Sequence, residues 1–258
     1  MLNCSIIFLI EFYTLESSDC MSFILPMAKT YSGGTIMQSI IFKQFYQDSQ
    51  QYELLLNEIL NSTFDSEKGD GFHVIEATSE YIKAVYYYEI SYSQSIYNPE
   101  TGEIEEIKLK RIETVPFFID YQRHTLDILG NKVKCTRIIE AIGKITKYKT
   151  SIADLYINPI KALIACAAAG IQYKVNKVRI NDYVFFDDII GNCVLNLSNY
   201  SKTEELLKKY ETQIVSFSTT LLLEETYSVV FYKSGAISVY KGFDDIDIEF
   251  IRTLKLGL

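Results

Sequence analysis

The chain predicts an α+β fold of antiparallel sheets with covering helices, arranged as two pseudo-repeated lobes. Three observations lead there. Strand-like segments follow one another in runs without alternating helices, which disfavours a parallel, doubly wound sheet. A hydrophobic share of 48% over 258 residues is enough for a substantial core. A strand–turn–strand–helix unit near 117–145 returns near 229–256. Phe118, Ile119 and Ile128 answer Val230, Phe231 and Val239, while Ile138, Ile139 and Ile142 fall 112 positions before Phe250, Ile251 and Leu254. Such a unit buries one face and needs a partner, so two copies can build one core together. The lobes cover 1–150 and 151–258, as two domains or as one continuous domain.

The elements follow in order. Residues 5–15, rich in β-branched and aromatic side chains, read as a buried strand or short helix ended by Ser17, Ser18 and Asp19, and Met21 is an equally good start of the chain. Residues 35–45 and 51–60 carry apolar side chains at helical spacing, Ile36, Ile40 and Ile41 in the first and Leu55, Leu56, Ile59 and Leu60 in the second, and predict helices. Residues 72–75, 81–92 and 104–112 are β-rich, and the turn residues Asn98 to Gly102 join the last two as a long hairpin. Within it Ile107 and Leu109 face one side, Lys108 and Lys110 the other. Residues 117–121 and 125–129 form the next hairpin, followed by a helix over 133–147.

Pro159 opens an alanine-rich helix that stops at Gly170, the usual exit residue. Strands over 172–180 and 183–197 precede a helix in which Ser201 and Glu204 make a capping box. Strands over 213–223, 227–232 and 236–240 lead to a closing helix from Asp244.

Composition narrows the class. The apolar run from Ile6 to Ile10 stops at Glu11, far short of the roughly 20 residues that cross a bilayer. The first basic residue is Lys29, so no charged region precedes that run as in a secretory signal. A cytoplasmic protein without membrane contact is expected. Cys4, Cys20, Cys135, Cys166 and Cys193 are odd in number and scattered, which suits reduced thiols. Net charge is −8 but uneven: 107–179 holds 14 basic and 5 acidic residues, a balance of +9, and the remainder carries −17. A positive face for an anionic partner, or pairing between the halves, would account for it.

Candidate anion-binding residues lie in that basic third. Taking Cys135, Ile138, Ile139, Ile142 and Ile145 as a buried stripe places Arg137, Lys144 and Lys147 on the outer side of their helix. With Lys132, Lys149 and the strand residues Lys108, Lys110 and Arg111, they could meet phosphates or nucleic acid. The plainer account is a solvated helix face in which Glu140 neutralises Arg137 and Lys144. The matching helix of the second unit carries Asp244, Asp245, Asp247 and Glu249, so opposite charges could also drive head-to-tail self-association.

Catalytic signals are weaker. Glu106, Ile107 and Lys108 make the acid–any–Lys string of restriction-like nucleases, without a companion Asp or the α/β order that chemistry needs. Asp187, Asp188 and the Asp244 cluster suit a turn and a helix start better than a metal site. His73 and His124 have no ligand or nucleophile at useful spacing. Ser32, Gly33, Gly34 and Thr35 could cradle phosphate, but no Lys-Ser/Thr pair follows and an N-cap is the simpler account. Among 20 tyrosines, Tyr86, Tyr87 and Tyr88 could stack on bases or fill a sheet core.

The reading is a non-catalytic cytoplasmic binding or assembly protein whose basic segment 107–179 contacts an anionic partner, with nucleic acid as a candidate. A homo-oligomeric or hetero-complex accessory subunit, binding its own kind or an acidic protein surface, is the alternative. The lack of any housekeeping signature leaves room for a mobile-element or phage-defence setting. A metal-dependent nuclease comes third, and no cofactor is implied.

Overall fold

The structure is a computed structural model describing residues 37–46, 52–186, 189–197, 202–223, 225–240, 246 and 248–255, which belong to one compact unit. The expectations for 5–15, Met21, Cys4, Cys20, the Ser32–Thr35 loop, Asp187, Asp188, Ser201, Asp244, Asp245 and Asp247 lie outside these residues.

The mixed α+β class holds: among the described residues, five helices accompany eleven antiparallel strands in a single sheet. In chain order the elements are β1 (Met37–Tyr46), α1 (Tyr52–Asn61), β2 (Asp70–Ala77), β3 (Tyr81–Tyr97), β4 (Ile104–Asp120), β5 (Thr125–Leu129), α2 (Lys132–Ile145) and β6 (Ser151–Asp154). They continue with α3 (Pro159–Ala168), β7 (Gln172–Phe186), β8 (Ile189–Asn196), α4 (Thr203–Lys209), β9 (Ile214–Leu222), β10 (Thr226–Tyr232), β11 (Ala236–Tyr240) and α5 (Ile248–Leu254). Spatially the strands run β2-β3-β4-β5-β1-β11-β10-β9-β7-β8, with β6 also paired to β1.

Strand β1 is the main correction to the sequence reading, which made residues 35–45 a helix. It sits at the centre of the sheet, pairing Ile40 with Leu129 of β5 on one side and with Ile237 of β11 on the other. Ile40 and Phe42 enter one core, while Phe45 enters a second, with Ile41 packed at its margin. A strand buried on both faces is apolar at consecutive positions, and such a run mimics helical spacing.

Those two cores occupy opposite faces of the sheet. Phe117, Ile119, Leu126 and Ile128 pack under α1 and α2 with Leu55, Ile59, Cys135, Ile138 and Ile142. Phe118 and Leu129, which alternate with them along β4 and β5, join the other core with Phe217, Phe231 and Ile237 beneath α3, α4 and α5. Helices therefore cover one face over the first half and the opposite face over the second.

Local chemistry explains the termini. Asn131 caps α2 by accepting a hydrogen bond from Lys134 N at 3.1 Å. Asn158 does the same for α3 at Ile160 N and Lys161 N, and Gly170 leaves that helix with φ +74°. Helix α4 begins at Thr203 with Lys202 as N-cap, which makes no side-chain cap bond, and the expected capping box rests on Ser201, outside the described residues.

Strand β4 runs unbroken from the long hairpin into the next one. Pro116 sits inside it just before β5 joins, the first β5 pair being Phe117 with Ile128. Asp182, with φ +53°, marks a bulge within β7, which continues to Phe186 where the sequence suggested a break. No described helix is long and apolar enough to cross a membrane.

Candidate anion-binding face

Among the described residues, no helix covers in the second half the face of the sheet that α1 and α2 cover in the first. Strand alternation identifies what lines it. On β7, Val175, Val178 and Ile180 point into the core, so Lys174, Lys177 and Arg179 point to the open side. On β9, Phe217, Thr219 and Leu221 are buried, leaving Ser216, Ser218 and Thr220 on that side.

Register aligns these residues into cross-strand rows. Arg179 stands beside Ser216, which stands beside Tyr232, which stands beside Ala236. Lys177 is next to Ser218, then Val230, then Ser238. Lys174 pairs with Thr220, whose hydroxyl accepts from Asn176 Nδ2 at 2.8 Å. Neighbouring strands lie about 4.8 Å apart, so Arg179 and Tyr232 are about 10 Å from one another across the floor. All three cations are exposed, and among the described residues none forms an ion pair.

The eight basic residues singled out by sequence do not form one patch. Arg137 and Lys144 are exposed on α2, which stands on the same face of the sheet as Lys174, Lys177 and Arg179. Arg137 lies over the Tyr88 ring at 5.6 Å, and among the described residues Glu140 forms no ion pair with Arg137 or Lys144. Lys132 is exposed at the start of α2, and Lys147 and Lys149 at its end, where Lys147 and Tyr148 take φ +51° and +56°. That turn folds the Tyr148 ring against Gly143, where a Cβ would meet it at 2.8 Å. Lys108 and Lys110 lie on the other face of the long hairpin, while Arg111 stands near Tyr88, as Arg137 does.

From Ile90–Arg111 to Tyr97–Ile104 this hairpin is a ribbon of two strands that, among the described residues, pair only with each other. One of its faces carries the rows Ile90–Arg111, Tyr92–Leu109, Gln94–Ile107 and Ile96–Glu105. The other carries Ser91–Lys110, Ser93–Lys108 and Ser95–Glu106, the division of Lys108 and Lys110 from Ile107 and Leu109 that the sequence indicated. Lys110 pairs with Glu89 and Arg111 with Glu113, both at 2.8 Å. With Glu100, Glu103, Glu105 and Glu106 toward its tip, the ribbon does not extend the basic floor.

A buried charge cluster, absent from the sequence reading, ties α5 to the first half. Lys255, 2% exposed, donates to Asp120 at 3.0 Å, Asp127 at 2.8 Å and the Thr125 hydroxyl at 2.7 Å. Arg252 reaches Asp120 through Nε at 3.1 Å and Nη2 at 3.3 Å, and Glu80 and Glu249 through Nη1 at 3.1 and 3.0 Å. Burial pushes the Asp120 carboxyl up, but the Arg252 and Lys255 contacts outweigh it and hold it below the usual range. For Asp127 burial wins over Lys255 and Thr125, and its pKa is raised; its Oδ1 has no partner. The hydrogen bonds that Arg252 donates to Asp120 raise the Arg252 pKa. The sequence clue was a carboxylate in each of two otherwise apolar strand segments, Phe117 to Asp120 and Leu126 to Leu129.

Other candidate chemistry stays dispersed. Glu106 and Lys108 share the polar face of the ribbon, while His73 and His124 are exposed on β2 and in the β4–β5 turn. Cys135, Cys166 and Cys193 are free thiols whose pKa values burial raises. Among the described residues no group of three or more His, Cys, Asp or Glu side chains is placed to hold a metal ion. Comparison with known proteins finds no family model that matches the sequence and no curated relative that matches it.

Proposed function

We propose that this protein is a non-catalytic binding protein that lays single-stranded nucleic acid across the open sheet face of its second half. The observation that carries the reading is the line of Lys174, Lys177 and Arg179 on β7, exposed, without an ion-pair partner among the described residues, and flanked by Ser216, Ser218 and Thr220. Cations supply affinity for phosphate, and hydroxyls accept or donate to its oxygens. Tyr232, in the same cross-strand row as Arg179, gives a base a ring to stack on, which favours a single strand with splayed bases over a duplex.

The floor follows from how the halves are related. β4–β5–α2 and β10–β11–α5 are read as two copies related by a two-fold along β1, which pairs with β5 and β11 from either side. Such an axis flips the sheet as it exchanges the hairpins, so the helices fall on opposite faces.

Fluorescence anisotropy with labelled oligonucleotides tests the reading. Binding should weaken steeply with salt, and joint replacement of Lys174, Lys177 and Arg179 by Glu should abolish it at low salt. Reversing one such contact at a time should lower the slope of log affinity against log salt by about 0.7 per contact for a single strand. No binding at low salt, or binding unaffected by the triple change, refutes the proposal.

A further inference from the structure

We propose that the β3–β4 ribbon packs face to face on the same ribbon of a second copy of this chain, independently of the anion-binding reading. The ribbon is eight residue pairs long, about 26 Å at 3.3 Å per residue. A two-stranded ribbon is marginal alone in water, yet one face of this one leaves Tyr92 41% and Ile107 40% exposed.

Charge identifies the occupant. The apolar rows of that face end in Arg111 at the base and in Glu105 toward the tip. If two copies meet about a two-fold axis running across the strands, the ribbons lie antiparallel. The base row of each then faces the tip row of the other, Arg111 opposite the partner's Glu105, and Leu109 opposite the partner's Ile107. Both charge pairs form at once, because a two-fold contact is made twice. An axis along the strands would instead set Arg111 and Glu105 against apolar residues. The opposite ribbon face carries Ser91–Lys110, Ser93–Lys108 and Ser95–Glu106, and its exposed apolar pair, Tyr97–Ile104, is confined to the tip row.

The contact is small. A ribbon about 26 Å long and 10 Å wide buries roughly 500 Å² in total, below the approximately 1,200 Å² of stable complexes, so self-association is weak and concentration-dependent.

Sedimentation velocity of the full chain from low to high micromolar concentration reads it directly. The wild-type sedimentation coefficient should rise with concentration. Arg111→Glu and Glu105→Arg should each weaken association about ten-fold, since each creates two like-charge contacts in the dimer. The double swap should restore it, an outcome that a local effect of Arg111 on Glu113 would not produce. Ser93→Glu, on the other face, should leave association unchanged. A constant monomeric coefficient, failure of the double swap to rescue, or equal weakening by Ser93→Glu overturns the proposal; a dimer indifferent to both charges also overturns it and points to edge-to-edge strand pairing.

Discussion

Replacing Lys255 by Met removes the cation at the centre of the buried cluster while keeping a side chain of similar reach. Three hydrogen bonds disappear, to Asp120, Asp127 and Thr125. Asp120 keeps both Arg252 contacts, so the loss falls on Asp127, which is fully buried and has one oxygen already without a partner. An unpaired carboxylate there takes up a proton, and the cost is capped by moving its pKa from about 3.9 to above the working pH. At pH 7 the cap is about 4 kcal/mol counted from an ordinary carboxylate, and it is smaller counted from wild type, whose Asp127 pKa is already raised. Because the variant's Asp127 is neutral when folded and ionised when unfolded, the cost shrinks by about 1.4 kcal/mol for each pH unit lowered. Urea unfolding followed by far-UV circular dichroism at pH 5, 6 and 7 measures this, tryptophan fluorescence being absent. The double variant Lys255→Met with Asp127→Leu removes both charges and should recover to within about 1 kcal/mol of wild type. A Lys255→Met cost below about 1 kcal/mol at pH 7, or one that does not change with pH, would refute the assignment of Lys255 as the counter-ion of Asp127.

The remaining predictions concern the same cluster and the sheet centre. Asp127 has a raised pKa in the folded state, so its contribution to stability is fully present below the ordinary carboxylate pKa and is lost as pH rises through the raised value. Denaturant titrations should accordingly show wild type gaining on Asp127→Asn as pH falls toward 4, with the opposite trend ruling the account out. Asp120, held low, works the other way, and wild type should lose stability relative to Asp120→Asn as pH drops below the ordinary value. Gly235 has φ +81°, and a Cβ there would meet Leu155 O at 1.9 Å, so Gly235→Ala should cost about 3 kcal/mol or more in urea unfolding. Ile40 is fully buried on β1, and Ile40→Ala should cost about 2–5 kcal/mol by the same measurement.

Much of the second half of the chain was legible because apolar and polar residues mostly alternate along its strands. In the segment from Lys174 to Ile180 the alternation fails at Asn176 and Lys177, where a bulge keeps Val175 and Val178 on one face. What that pattern omits is the neighbour. The rows that bring Arg179 beside Ser216 and Tyr232 join residues from β7, β9 and β10, and depend on registers that no single segment encodes. Lys108 and Arg137 were drawn together by sequence proximity and charge, yet a ribbon and a helix carry them.

The sequence alone determined the elements whose periodicity is local: α2 with its Ile138–Ile142 stripe, the hairpin divided into Lys108 and Ile107 sides, and the mixed antiparallel class. Tertiary structure decided the fate of 37–46, the burial of Asp120, Asp127 and Lys255, and which sheet face stays open. The physical reason is common to all three. Ile40, Ile41 and Phe42 can serve a helix stripe or a strand covered on both faces, and a carboxylate in an apolar strand can face solvent or a buried lysine. Only packing against segments more than a hundred residues away, such as α5 over β4 and β5, selects between them.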